Sequence, residues 1–387
     1  MKKTIYYWSP CLTKIATIKA TMNSAVSLAK YSNSYEVKII DVCGEWSNHK
    51  KFLTKNNVCV HNLTFNYFKF LPKTGYLQSR VSNFIIILIS IFPLMFFMKN
   101  KKPDYFIIHL ITSLPLFLSN FINTKTNIIL RISGFPKLNI FRKKLWSLSE
   151  KSIFKITCPT NDLKDSLIEK KIFDKKKIIK LSDPVINMRD FIEKKRDKSN
   201  LFVTKTKGYF IAAGRLTVQK NFIYLIKEFK KFLNVYPNEK LLIFGEGELR
   251  NRISREIRIN NITSNVKLCG YKENIYKYMI NSKAFILSSL WEDPGFVMIE
   301  SALCNSFIIS SDCKNGPKEF LLDGKAGLIF KSNEENQLYE KLNEFKKLKK
   351  KNIYQMKILA KKNSMKFTMF RHFLSLKNII ENKQHSY

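Results

Sequence analysis

The sequence predicts an α/β protein of two Rossmann-like domains, each a parallel sheet covered by helices on both faces. Two observations carry this. Short runs rich in β-branched and aromatic residues alternate with longer helical stretches, the pattern of successive βα units. The runs are apolar throughout rather than alternating, as strands buried on both faces must be. With 387 residues, 45% of them apolar, the chain is long enough for two domains with a core each.

The elements follow in order. In the first half Ile5 to Trp8, Glu36 to Val42, Tyr105 to Leu110, Asn127 to Ile132 and Lys155 to Cys158 read as strands. Helical patterns fall near Met22 to Tyr31, Val81 to Met98 and Leu114 to Phe121. In the second half GYFIAAG is a strand, followed by a loop and a helix from Asn221 to about Phe232. Lys240 to Phe244 is a strand running into GEGEL and a helix of mixed charge. Val266 to Cys269, Lys283 to Leu290, Ser306 to Ser311 and Leu328 to Phe330 are further strands, with a helix near Val297 to Leu303. Ile186 to Lys207 is charged and shows little periodicity, as a linker would. The layout expected is an N-terminal domain over 1–190, a linker over 191–207, a C-terminal domain over 208–355 and a helical tail over 356–387.

The charge balance is extreme: 68 Lys and Arg against 30 Asp and Glu, a net +38. It either draws the chain to anionic partners or reflects the Lys, Ile, Asn and Phe bias of an AT-rich genome. The basic residues are spread through helices and tail rather than gathered with aromatics on one sheet face, so no nucleic-acid partner is expected. The seven cysteines are scattered, with no Cys-x-x-Cys pair, which fits a reducing cytosol and neither a disulfide framework nor a structural zinc site. The start, MKKTIYYWSPCLTK, has no apolar core and is a poor signal peptide. Val81 to Met98 is uncharged and long enough to tempt a transmembrane assignment. A single span there would split the first sheet across a bilayer. A buried helix, or one dipping into a single leaflet with Lys99, Lys101 and Lys102 beside it, is the reading.

Ligands of parallel α/β sheets bind beyond the carboxyl ends of the strands, so the strand-to-helix loops are where chemistry is sought. Gly214-Arg215-Leu216-Thr217-Val218-Gln219-Lys220 offers a tight turn and two cations suited to a diphosphate, or two solvated surface charges. Gly245-Glu246-Gly247-Glu248 lets backbone approach a nucleotide, or is a plain turn. Trp291 to Glu300 holds two glutamates separated by seven residues, Glu292 in the loop and Glu300 about a turn into the helix. Gly295, Phe296 and Val297 open that helix, whose free amides and dipole favour a phosphate. Glu300 can accept from a vicinal diol such as a ribose. Asn315-Gly316-Pro317-Lys318-Glu319 reads only as a helix start.

GRLTVQKN, IFGEGEL, LSSLWEDPGFVMIESA and SSDCKNGPKEFLLDGKAGLIF, in that order and spacing, resemble family 4 of the retaining glycosyltransferases. The likeness spans about residues 208–332 well and the first half in outline. It implies the GT-B fold, with two Rossmann-like domains facing across a cleft and a C-terminal helix returning to the N-terminal domain. It implies an N-terminal acceptor domain and a C-terminal donor domain. By resemblance Arg215 and Lys220 hold the donor diphosphate, Glu300 the ribose, and Glu292 faces the donor sugar. Gly214, Gly245, Glu246, Gly295, Phe296 and Val297 complete the donor-binding set, and Gly270 to Ile275 lie near the base. Two departures stand out. The usual Gly-Gly turn near the N-terminus is replaced by Ile15-Ala16-Thr17-Ile18, and the usual Gly-Phe-Gly or Gly-Phe-Pro by Asp293-Pro294-Gly295-Phe296.

In the first half His109 ends a candidate strand, where the family often carries a histidine touching donor or acceptor; the alternative is a half-buried core residue. Arg131 ends the next strand and could meet an acceptor phosphate. The chemistry implied is hexosyl transfer with retention, from a nucleotide sugar with uridine as the default base, to a polyprenyl-diphosphate-linked or surface-polysaccharide acceptor. No Asp-x-Asp clamp is present, so the fixed cations stand in for a metal and no metal or other cofactor is expected. The place of action expected is the cytoplasmic face of an anionic membrane, bound peripherally. The rivals are a sugar-nucleotide epimerase or hydrolase of the same fold and, from another class, a basic nucleic-acid-binding protein.

Overall fold

The computed structural model describes residues 2–12, 16–72, 76–123, 125–197 and 208–382. The chain divides into two compact units. The first is Met1–Val185 with Met369–Tyr387, and the second is Ile186–Thr368.

The first unit runs β1 (Lys3–Trp8), α1 (Ala16–Tyr31), β2 (Tyr35–Asp41), α2 (Lys50–Lys55), β3 (Cys59–Asn62), α3 (Tyr76–Lys101), β4 (Tyr105–Ile108), α4 (Ser113–Ser119), β5 (Asn127–Arg131), α5 (Ile140–Ser149), β6 (Ile153–Cys158), α6 (Asn161–Glu169) and β7 (Ile178–Lys180). Its sheet is ordered β3-β2-β1-β4-β5-β6-β7, every pair parallel. Parallel neighbours need helical crossovers, which cover both faces, so the strands are apolar on both sides. Tyr105 to Ile108 are all buried accordingly. Asn139 and Thr160 start α5 and α6 by accepting from the amides of Arg142 and Leu163.

The second unit runs α7 (Met188–Arg196), β8 (Tyr209–Ala213), α8 (Phe222–Val235), β9 (Leu241–Phe244), α9 (Arg250–Ile259), β10 (Val266–Leu268), α10 (Tyr276–Ile280), β11 (Ser282–Leu287), α11 (Phe296–Leu303), β12 (Phe307–Ser311), α12 (Pro317–Phe320), β13 (Leu328–Phe330), α13 (Gln337–Lys347) and α14 (Lys350–Ser364). Its sheet is ordered β10-β9-β8-β11-β12-β13, again all parallel. Between β8 and β11 the chain winds in opposite directions. Their carboxyl ends form the topological switch point, where loops diverge and ligands of such sheets bind.

The last helix, α15 (Met369–Ile380), belongs to the first unit. It packs on α1, with Phe370 and Phe373 5.2 and 5.6 Å from the Tyr31 ring. Leu376, Ile379 and Ile380 join the core of Ile5, Tyr7 and Ala25, and Tyr105 Oη donates to the Ile380 carbonyl at 2.6 Å.

Three expectations are corrected. The unit boundary falls between Val185 and Ile186, and 188–196 is helix α7 rather than linker. Asn187 caps it by accepting from the Arg189 and Asp190 amides, and Phe191 packs edge-on against Tyr276 at 5.2 Å. The rest of the expected linker, 198–207, lies outside the described residues. The tail is divided as well: α14 packs on α11 and β12 in the second unit, and only α15 joins the first. Finally α3 is not a buried helix. Its Gln78–Lys101 stretch is long and apolar enough to cross a membrane, yet only 33% of the apolar window is buried.

Candidate donor-binding site

The second-unit loops chosen from sequence meet at the carboxyl ends of β8, β9, β11 and β12. After β8 the chain turns at Gly214, and Leu216 N donates to the Glu246 carbonyl at 2.9 Å. Leu249 N donates back to Leu216 at 2.9 Å, and Gly245 N to Gly270 at 3.0 Å. These bonds bring three loops into backbone contact. A Cβ at Gly245 would stand 1.9 Å from the Gly214 carbonyl oxygen, at a φ of +132°. The Gly-rich turn is therefore demanded by loop packing, whatever ligand lies above it.

The loop after β8 is also tied to the loop after β11. Leu290 N donates to Gln219 O at 2.8 Å. Gln219 Nε2 donates to Trp291 O and Ser288 Oγ to Lys220 O, both at 2.8 Å. With the backbones pinned, two side chains meet: Lys220 Nζ lies 2.5 Å from Glu292 Oε1, their side chains only 11% and 5% exposed. Ser289 Oγ donates to the same oxygen at 2.5 Å. Ser289 is itself fixed, its carbonyl accepting from Ser311 Oγ at 2.7 Å and Ser332 Oγ at 3.2 Å. Arg215 is exposed beside this group, its guanidinium 3.4 Å from Gln219 Oε1.

Gly295, at a φ of +93°, turns the chain into α11. The first-turn amides, Phe296 and Val297 among them, have no partner inside the helix. The Asn315-Gly316-Pro317 segment supports this turn from beneath. Buried Asn315 donates to Asp293 Oδ1 at 2.6 Å, and a Cβ at Gly316 would meet the Pro294 carbonyl at 2.6 Å. Glu300 lies four residues along α11 and accepts from Tyr276 Oη at 3.4 Å. Burial, then the Glu300 charge, push the Tyr276 phenol far above its ordinary range, so it stays a donor. Glu246, in the loop before α9, faces solvent and pairs at 2.9 Å with Arg250, the first residue of that helix. A charge pair so exposed holds little energy.

Residues 192–362 match the model of the family described as glycosyl transferases group 1. An uncharacterised glycosyltransferase of Methanocaldococcus jannaschii is 31% identical over 277 residues, 64% of this chain and 68% of that protein. The chain belongs to the group 1 glycosyl transferases. An α-1,4-N-acetyl-D-galactosaminyltransferase of Campylobacter jejuni, named for a diphospho-undecaprenol-linked acceptor, is 26% identical over 86% of this chain and 88% of its own. An Escherichia coli α-1,3-galactosyltransferase, named for UDP-Gal and a GlcNAc-diphosphoundecaprenol acceptor, is 29% identical; the match covers 41% of this chain and only 43% of that protein. The crystal structure of a glycosyltransferase from Rickettsia africae superposes with a TM-score of 0.78 at 17% identity, over 99% of this chain and 100% of that one. That likeness is of fold, and the fold is GT-B.

In the first unit of this glycosyl transferase, His109 follows β4, its amide donating to Trp8 O at 2.9 Å and its Nδ1 3.4 Å from Thr21 Oγ1. Burial, with the Arg131 charge nearby, holds it neutral with a pKa of about 3. It lines a small internal cavity with Ser24, Arg131, Asp183 and His372. Arg131 is corrected: it is not an acceptor-phosphate ligand. Only 3% exposed, it donates from Nη1 to Leu181 O at 2.7 Å and pairs through Nη2 with Asp183 at 2.5 Å. That guanidinium is committed to holding the segment after β7. Of the stretch in place of the usual Gly-Gly turn, Ala16 to Ile18 form the first turn of α1 and Ile15 lies outside the described residues.

Sequence reasoning missed Ser289, Gln219 and Tyr276, and read Asn315 only as part of a helix start. Ser289 and Gln219 sit inside quoted motifs but carry no signal of their own. Their roles exist only once β8 and β11 are side by side.

Proposed function

We propose that this group 1 glycosyl transferase is of the retaining family 4 type. It moves a hexose or N-acetylhexosamine from a UDP-sugar to a polyprenyl-diphosphate-linked or surface-polysaccharide glycan. The observation that carries the reading is the joint hold of Lys220 and Ser289 on Glu292 at the switch point between β8 and β11. A cation and a carboxylate locked together there suit a departing diphosphate and the sugar it leaves. In the step, the bond from the anomeric carbon to the diphosphate oxygen breaks and a bond to the acceptor oxygen forms. The nucleoside diphosphate and the acceptor proton are released. Negative charge grows on the diphosphate, and Arg215, Lys220 and the start of α11 face that charge with cations and amides. Glu300, held by Tyr276, accepts from the ribose hydroxyls. Fixed cations replace a divalent metal, so turnover persists in EDTA.

Uridine is favoured because the E. coli relative is named for UDP-Gal. A lipid diphosphate acceptor is favoured because both bacterial relatives are named for one. The chain's net +38 favours work at the anionic cytoplasmic face of a membrane, without insertion. The second unit takes the donor, and the first takes the acceptor. The test is incubation with a panel of labelled nucleotide sugars and a membrane lipid extract. Label moving from a UDP-sugar into the lipid fraction supports the reading. Rapid donor turnover without any acceptor identifies a hydrolase or epimerase instead.

A further inference from the structure

Helix α3 is apolar on both its buried and its outward side. Ser82 and Ser90 are fully buried, beside Ile86 and Leu94 of the core, while Phe84, Leu88, Phe92 and Phe96 point outward, 50–73% exposed. At 100° per residue these outward side chains fall within a stripe of about 120°. The α4 helix packs against α3, and its Phe117, with Phe121 just past its end, is exposed, the two rings 5.0 Å apart. Contiguous exposed aromatic surface of this kind marks a contact site. Its surroundings are one-signed. From Phe65 to Ser149 the sequence holds eleven Lys and Arg besides the buried, Asp183-paired Arg131, against a single acid, Asp104. Asp104 is taken up by Thr4, whose amide donates to it at 2.7 Å. Lys99, Lys101 and Lys102 at the end of α3, and Arg142, Lys143 and Lys144 on α5, are all exposed.

We propose that the α3–α4 face is a membrane-docking surface. It lies flat in the headgroup layer of an anionic bilayer, with its phenylalanines at the acyl boundary and the lysines of α3 and α5 on the headgroups. The rim decides between occupants. A second copy docked through the same face would bring like-charged rims together in a chain already at net +38, and repulsion opposes that pairing. A transmembrane α3 would strip Ile86, Leu94, Phe97 and Met98 from the core they share with β4. An in-plane helix with aromatics on one side and cations at its ends satisfies both constraints. The proposal deepens the membrane part of the function above and rests on it only for the reason a membrane is near.

The test is vesicle flotation of the full chain, which needs neither acceptor nor turnover. Wild type floats with 1:1 phosphatidylglycerol–phosphatidylcholine vesicles and poorly with phosphatidylcholine alone. The triple variant Phe84→Asp, Phe92→Asp, Phe96→Asp, unchanged in melting temperature because the sites are exposed, loses at least tenfold in partitioning. Lys99→Glu, Lys101→Glu, Lys102→Glu loses about fivefold or more per charge on the anionic vesicles only. Undiminished flotation of the Phe triple overturns the proposal. So does resistance to extraction at pH 11, which makes α3 a span. A wild-type dimer by sedimentation velocity that the Phe triple dissolves assigns the face to a second copy and overturns it too. Lost flotation with intact transfer condemns the surface alone; intact flotation without transfer condemns the acceptor reading alone.

Discussion

Breaking the Lys220–Glu292 pair separates stability from catalysis. Both side chains are almost fully shielded, at 11% and 5%, and the contact is 2.5 Å. Removing one member leaves the other charged and buried, which costs about 3–5 kcal/mol. For a unit the size of Ile186–Thr368 each kcal/mol lowers the melting temperature by about 2–4 °C. Lys220→Met and Glu292→Gln should therefore each melt roughly 6–20 °C below wild type. In the double variant no charge is stranded, the methionine keeps the packing of the lysine stem, and stability returns to within about 1–2 kcal/mol of wild type. Activity does not return. On the proposed role, loss of a group facing the leaving diphosphate costs about 10²–10³ in kcat, and the double variant keeps that deficit. Calorimetry and transfer assays on the four proteins supply the cycle. Additive losses of stability would refute the buried-pair reading, and recovered transfer in the double variant would refute the catalytic one.

Other outcomes follow from the same geometry. Ser289→Ala removes a hydrogen bond to a charged oxygen, about 1.5–3 kcal/mol, and lowers kcat at least tenfold with KM for the donor little changed; Ser289→Thr restores it. An unchanged kcat with the same loss of stability would make Ser289 merely structural. Arg131→Ala strands buried Asp183 and costs the first unit about 3–5 kcal/mol, while Arg131→Met with Asp183→Asn recovers most of it. Donor affinity should not move in either, measured by nucleotide titration calorimetry. His109 and His372 are held neutral chiefly by burial, with pKa values of about 3 and about 4 against an ordinary 6.5. Folded values below the unfolded one mean that the unfolded chain binds more protons between them. Stability is thus full above pH 6.5 and falls as pH drops toward 3, by up to about 2–3 kcal/mol per histidine at pH 4.5. His372→Gln should flatten the slope of melting temperature between pH 7 and 4.5; an unchanged slope would show that other groups set it.

Much of the second unit was legible because its strands are short, apolar and bounded by glycine turns; Leu328 to Phe330 was read residue for residue as β13. The edge strands were not. CVHN of β3 is half-exposed and polar, and IIK of β7 is three residues long, so neither shows a buried strand's pattern. Helix α7 was hidden by its charge, although Asn187 is an ordinary capping residue followed by an acid. For α3 the composition gave the apolar character but not the exposed face, because a helix apolar nearly all round has no legible inside. The β8 and β11 loops were readable as a candidate site since glycine, cation and carboxylate occur there together. Arg131 was misread because its partner, Asp183, arrives 52 residues later through β7. Ser289 reads in sequence as one more strand residue; only its place between Glu292 and the β12 end gives it a function.

The most direct measurement compares UDP with UMP binding, by titration calorimetry, in wild type and in Arg215→Ala, Lys220→Ala. If those cations grip the second phosphate, as proposed, wild type should bind UDP about 100-fold or more tightly than UMP, about 1.4 kcal/mol for each factor of ten. The double variant should lose most of that preference while keeping its UMP affinity. Equal preference for UDP in both proteins would contradict a diphosphate held by Arg215 and Lys220.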